Sequence, residues 1–244
     1  MRVGPLQGMR ILDFTTLLPG PYAAMMLADL GAEVLRIENP MRPDMARMAP
    51  PLIEPGVSAF HATINRNKRT LGLNLKTQHA RDIVHNLVGK RNGFDVVLEG
   101  FRPGVMKKLG LGYEDLKDTN PDVIYCSITG YGQDGQLKNR AGHDINYLAL
   151  SGLASYGGGE GGKPSLSAMQ IADIAGGSHH AVIGILAACQ QRANKRQIRS
   201  TSPHLLNKGE KEVLGQYIDV SMTDCAFGTT CSIILFSSLS VNSL

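Results

Sequence analysis

The residues of this sequence best suited to proton chemistry are a histidine and an aspartate, His143 and Asp173. His143 follows a glycine in Ala141-Gly142-His143-Asp144, a loop setting that favours exposure over a core position. Asp173 opens a long apolar stretch, where the N-terminus of a helix favours a carboxylate. The same placement suits a plain helix cap, and the residue types leave both readings of Asp173 open. Other constellations fail on spacing. His143, His179 and His180 could be combined with Asp144 and Asp173 into a metal site, but the spacing matches no metal signature and adjacent histidines diverge, so no metal is expected. Gly130-Tyr131-Gly132-Gln133-Asp134-Gly135 follows a strand as a formal dinucleotide fingerprint. The helix that must open on its last glycine is missing, because the following segment has no apolar stripe, so a local glycine turn is the simpler reading. No G-x-S-x-G elbow occurs, and nucleophilic serine chemistry has no support.

The elements that must position these residues alternate between strand and helix. Arg10 to Phe14 is a short apolar run, Tyr22 to Leu30 has helical spacing behind Pro21, and Glu33 to Glu38 alternates as a strand, giving a β-α-β unit. Residues 41 to 60, rich in Pro and Met, read as a loop. A strand over Thr70 to Leu75, a helix over Gln78 to Lys90 and a strand over Asp95 to Glu99 follow. After the Pro103-Gly104 turn come short helices over Val105 to Leu109 and Tyr113 to Asp118, then a strand over Asp122 to Thr129. The second half reads as a helix over Asp144 to Ala154, a glycine-rich loop over Tyr156 to Pro164, a long helix over Met169 to Ala193 and a strand over Gln216 to Val220. Residues 197–213 are polar and without period, as expected of an exposed insertion. The alternation predicts an α/β fold, a Rossmann-like large domain with a mostly parallel sheet and flanking helices.

Composition removes several alternatives. At 244 residues with 43% hydrophobic content, the chain can bury a substantial core. A net charge of +4 is too small for a nucleic-acid partner without a concentrated basic patch. Cys126, Cys189, Cys225 and Cys231 form no C-x-x-C pair, and the first residues leave no room for a secretory or transit segment. Reduced, buried thiols and an intracellular location are therefore expected. Cys225 to Leu244 carries no charge, but its Ser and Thr content argues against a membrane span and for a segment that packs on further protein. On that ground the chain is expected to be C-terminally truncated, and its uncovered apolar surface to favour association.

Six stretches in order resemble one family: Gly8 to Pro40 (GMRILDFTTLLPGPYAAMMLADLGAEVLRIENP), NRNKRTLGLNLK at 65–76, EGFRPGVMKKLGLGYEDL at 99–116, NPDVIYCSITGYGQDG at 120–135, ADIAGG at 172–177 and GQYIDVSM at 215–222. The family is the family III CoA-transferases and racemases, also called CaiB/BaiF-like. AGHDINYLALSG at 141–152 is similar to its α-methylacyl-CoA racemase branch. The resemblance implies that His143 and Asp173 flank the α-carbon of an acyl thioester, one removing the α-proton and the other returning it from the opposite face. Inversion at a carbon acid requires two such bases, since one base tends to return the proton to the face it left. The intermediate is a thioester enolate, with backbone N–H groups of the ADIAGG segment as partners for its oxyanion. Transferases of the family use the matching aspartate as a nucleophile that takes the acyl group as a mixed anhydride, and generally lack the histidine.

The resemblance also implies an acyl-CoA substrate, with coenzyme A as part of the substrate rather than a separate cofactor. Arg66, Asn67, Lys68 and Arg69, Gly100, Phe101, Arg102 and Lys108, and Gly142, Asp144, Asn146 and Tyr147 are carried over as its binding residues. A solvated basic face is the plain alternative for the cations. Asn39 stands where many racemases have arginine, so one coenzyme contact is expected to be weakened. The family's small domain is expected to be largely missing here, and with it the returning chain through which the family's homodimers interlock. An inactive CoA-binding remnant is a third reading. The implied compartment is the peroxisome or mitochondrion in a eukaryote and the cytoplasm in a bacterium.

Overall fold

The computed structural model describes residues 4–89, 93–158, 163–201 and 214–230. Its centre is a six-stranded sheet built from β1 (Arg10–Asp13), β2 (Glu33–Glu38), β5 (Lys68–Gly72), β6 (Val96–Glu99), β7 (Ile124–Thr129) and β8 (Gln216–Ser221). The order is β5-β2-β1-β6-β7-β8, and every neighbouring pair is parallel. A second, two-stranded sheet pairs β3 (Leu52–Glu54) with β4 (Val57–Ser58). The helices are α1 (Pro19–Asp29), α2 (Ala59–Ile64), α3 (Gln78–Val88), α4 (Val105–Lys108), α5 (Tyr113–Thr119), α6 (Asp144–Leu150), α7 (His180–Thr201) and α8 (Met222–Gly228). A π-helical segment, Ala172–His179, leads into α7 without a break. The α/β architecture with a parallel sheet is thus the one the alternation predicts.

Successive strand residues feed opposite cores, which is why the strands read as continuous apolar runs. Ile11, Val96, Leu98, Ile124, Cys126, Ile128 and Val220 pack under α1, α6, α7, α8 and the π segment. Leu12, Val97, Val123 and Tyr125 face the other way, against Val84 and Val88 of α3 and Leu116 of α5. Ile185 of α7 is fully buried, so its truncation to alanine should cost about 2–5 kcal/mol.

The differences from the sequence reading have local causes. The strand expected over Thr70 to Leu75 begins instead at Lys68, because that lysine's side chain is drawn into a buried ion pair. Residues 41–60 hold a 3₁₀ turn, Met45–Met48, the β3–β4 hairpin and the start of α2. The helix expected over Asp144 to Ala154 stops at Leu150 and is followed by a 3₁₀ turn, Leu153–Gly157. The single helix expected over Met169 to Ala193 is a π segment joined to an α-helix, and the helix continues to Thr201, into the segment expected to be an insertion. Arg192 and Arg196 hold it there: Arg192 donates to the Asp122 carbonyl at 2.8 Å and pairs with Asp95 at 3.3 Å, and Arg196 pairs with Asp122 at 3.0 Å. Residues 202–213 and Cys231 to Leu244 lie outside the described residues. Of the other cysteines, Cys126 is buried, while Cys189 and Cys225 are only partly so. No helix among the described residues is long and apolar enough to cross a membrane.

Candidate functional site

In a parallel sheet all strands end on one edge, and the loops that leave it gather the groups able to meet a ligand. Here β2 and β5 lie on one side of β1, and the chain then crosses from β5 to β6 on its other side, which places the switch point between β1 and β6. Gly100, Phe101 and Arg102 leave β6 at that point. A Cβ on Gly100 would lie 3.8 Å from the Thr15 side chain beyond β1. Arg102 and Lys108 are exposed there, and Phe101 is half-buried against the core, its N–H donating to Glu99 at 2.8 Å. Lys76, absent from the candidates, follows the carboxyl end of β5 and is exposed on the same edge.

His143 and Asp173 come from the two segments that close this edge over the face bearing α1. His143 is the N-cap of α6 and is exposed; its N–H donates to Asn146 Oδ1 at 2.9 Å, and its carbonyl accepts the Asn146 N–H at 2.8 Å. These two bonds fix the entry to α6, the role in which Asn146 is found. Gly142 permits the close packing just before it, since a Cβ there would lie 2.6 Å from Tyr131 Oη and 2.7 Å from the Tyr147 ring. Tyr147 itself is buried and stands edge-on to Tyr131. This contact shapes the turn into α6.

Asp173 lies in the first turn of the π segment, half-buried. Its backbone N–H donates to Asp144 Oδ1 at 2.9 Å, so the motif around His143 and the motif around Asp173 are bonded to one another. Burial, and then the Asp144 carboxylate, push the Asp173 carboxyl up to about 7. A π segment inside a helix is frequent at functional sites because it displaces a side chain from the regular spiral. The glycines of ADIAGG stand at close approaches: a Cβ on Gly176 would lie 2.8 Å from the Met222 carbonyl, and one on Gly177 3.1 Å from Pro19 and Met222. They let the segment pack on α8 and α1.

Arg66 and Asn67 do not join this group, and Lys68 starts on their side of the sheet although its ammonium reaches Asp13, the last residue of β1. They precede or begin β5, at the amino edge of the sheet, while Gly100 to Lys108 follow the carboxyl end of β6. Arg66 pairs with Asp29, and Asn67, with a left-handed φ of 62°, donates to the same Asp29 at 2.7 Å. The Lys68 ammonium is buried and donates to Asp13 Oδ2 at 3.1 Å, the Pro21 carbonyl at 2.8 Å and Asn65 Oδ1 at 3.0 Å. An ammonium has three donors, so Lys68 ties β5 to β1 and α1 and has none left for a phosphate. Burial lowers its pKa while Asp13 opposes the shift. Arg69 pairs with Glu33.

A second polar cluster occupies the other face of the sheet. Tyr217 donates to Ser127 at 3.1 Å and Ser127 to the buried Glu99, below a cavity of about 320 Å³ walled by Tyr113, Tyr125 and Met106 with Arg102 at its edge. Burial pushes the Glu99 carboxyl up to about 7, against the opposing hydrogen bonds from Ser127 and Phe101. The glycine turn at Gly130 to Gly135 leads to no helix before Asp144, which leaves the local-turn reading in place. No group of three metal-ligating side chains converges among the described residues.

The sequence matches the family model for CoA-transferase family III over residues 6–236. It is 41% identical over 175 residues to a succinyl-CoA:glutarate CoA-transferase of Homo sapiens, covering 72% of this chain and 39% of that protein. It is also 41% identical over 196 residues to an alpha-methylacyl-CoA racemase of Homo sapiens, covering 79% of this chain and 46% of that protein. Among solved structures, a CAIB/BAIF family protein from Brucella suis superposes with a TM-score of 0.83 at 32% identity, over 98% of this chain and 58% of that one. The chain spans about half the length of the curated relatives it matches.

Proposed function

The chain belongs to CoA-transferase family III, and from that premise we propose that it is a racemase interconverting (2R)- and (2S)-2-methylacyl-CoA thioesters. The observation that carries this reading is the hydrogen bond from the Asp173 N–H to Asp144, which draws the segment bearing His143 and the segment bearing Asp173 to one place at the carboxyl edge. One of the two takes the α-hydrogen as a proton, and the C–H electron pair passes into the thioester as an enolate. The other delivers its own proton to the opposite face, and each then re-equilibrates with solvent. A carboxyl titrating near 7 suits both directions, since general acid–base catalysis is most efficient when the group's pKa lies near the working pH. The exposed His143 suits a group that must reach a substrate carbon. Arg102 and Lys108 are the cations assigned to the coenzyme phosphates, because they are exposed beside the switch point.

The alternative is a CoA-transferase in which Asp173 attacks the thioester carbonyl as a nucleophile. The succinyl-CoA:glutarate and succinyl-CoA:mesaconate CoA-transferases among the relatives favour it. A single incubation separates the two. In deuterium oxide with (2R)-2-methylacyl-CoA and a free carboxylic acid, the racemase reading expects deuterium at C2, a mixture of epimers and no new thioester. A new thioester without deuterium would assign the protein to the transferases.

A further inference from the structure

Asp144 is placed between the two residues to which the proposed reaction assigns the protons. It is the first residue of α6, directly after His143, and its Oδ1 accepts the Asp173 N–H at 2.9 Å. We infer that Asp144 is a positioning residue, whose carboxylate pins the first turn of the π segment to α6 and sets a negative charge beside Asp173. This inference rests on the reading in which Asp173 is one of the two bases.

The geometry gives Asp144 two separable effects. As an acceptor it fixes the backbone of Asp173 relative to His143, and so the spacing between the groups on either side of the reacting carbon. As a charge it opposes ionisation of Asp173, adding to the larger effect of burial. The surroundings supply little that could do the same. From α6 the other titratable groups on this side are Tyr147, which Asp173 acts on, and the N-cap His143. Tyr22 of α1 meets the His179 ring, and His180 bonds the Ala175 carbonyl. Asp219 of β8 is raised by burial, with Asp134 and Asp224 adding to it, and the Asp173 carboxyl responds to Asp144 alone among charged groups of the described residues. A carboxyl kept partly protonated at neutral pH can serve as the proton donor in one direction and the acceptor in the other.

The two effects separate in two substitutions. Asp144→Asn keeps an amide oxygen for the Asp173 N–H and removes the charge, whereas Asp144→Ala removes both. The Asp173 carboxyl is followed by ¹³C NMR across pH in the whole chain, and α-proton exchange is measured in parallel. For Asp144→Asn the titration midpoint of Asp173 is expected to fall toward the ordinary carboxylate range, and the acid limb of the exchange profile to fall with it. For Asp144→Ala a further loss in kcat with little change in KM is expected. An unchanged midpoint in Asp144→Asn overturns the inference, as does an Asp144→Ala that exchanges as fast as the wild type. The NMR titration needs no turnover. If the wild type neither exchanges nor inverts, the racemase reading fails while the midpoint still decides whether Asp144 acts on Asp173.

Discussion

Around β2 and β5 the carboxylates are each answered by a cation: Asp44 and Glu38 share Arg36, Glu38 also holds Arg47, Asp13 holds Lys68, and Asp29 holds Arg66. Around α6 and the π segment, Asp173 is half-buried beside another carboxylate. The residue types are the same, and the difference is the sign of the neighbour. A buried carboxylate with a cation and hydrogen bonds stays charged and fixes the structure around it. One that meets only burial and like charge keeps a proton into the neutral range, where it can be given and taken. Paired charges are therefore the framework of this fold, while Asp173, like Glu99 on the other face of the sheet, lacks a counter-charge and is pushed up to about 7.

The largest expected effect comes from removing that carboxyl. Asp173→Asn should lower α-proton exchange by about 10²–10⁴-fold, the usual contribution of a general acid or base, while the protein stays folded. It should also change the pH dependence of stability. The folded-state pKa of about 7 lies above the ordinary 3.8, so the folded protein binds this proton more tightly than the unfolded chain does. The associated stability is complete below about 3.8 and is lost as pH rises through 7. Thermal melts should therefore show Asp173→Asn gaining on the wild type between pH 5 and pH 8.

On the paired side, Lys68→Met leaves Asp13 buried without its cation, and should destabilise by about 3–5 kcal/mol in urea unfolding. The double substitution with Asp13→Asn should recover part of the loss. A Lys68→Met of undiminished stability that binds coenzyme A more weakly would return Lys68 to the ligand side. A smaller effect separates the two sets of arginines. Arg102→Ala should weaken coenzyme A binding by about tenfold, as expected for a lost charge-assisted hydrogen bond. Arg66→Ala, which loses Asp29 and the Thr63 carbonyl, should leave the affinity unchanged in a calorimetric titration.

The smallest effect concerns His61, buried among Arg36, Arg47, Asp44 and Glu38. Burial, with Arg47 and Arg36, lowers its pKa below 6.5. Its contribution to stability is complete above 6.5 and is lost as pH falls through the lowered value. His61→Asn should thus flatten the acid side of the melting profile, and an unaltered slope would remove His61 from the network.

The strands were legible where apolar runs feed both cores, as in Val96–Glu99 and Ile124–Thr129. Lys68 was not, because a charged residue that begins a strand looks like loop until its partner Asp13 is seen across the sheet. The π segment was equally hidden, since apolar spacing alone does not distinguish it from the α-helix it continues. The polar end of α7 read as insertion because its stabilising contacts, from Arg192 and Arg196 to Asp95 and Asp122, are remote in sequence. At the site, motif resemblance picked out His143 and Asp173 without showing what joins them. The bond from the Asp173 N–H to Asp144 depends on tertiary placement, as does the separation of Arg66 from Arg102.

The most direct test gives each enantiomer of a 2-methylacyl-CoA separately to the wild type and to His143→Ala in deuterium oxide, with coenzyme A binding measured alongside. The account predicts that the wild type inverts both enantiomers and places deuterium at C2, and that His143→Ala binds the coenzyme with the same affinity and inverts neither. Inversion that survives in His143→Ala, or binding lost together with inversion, would contradict it.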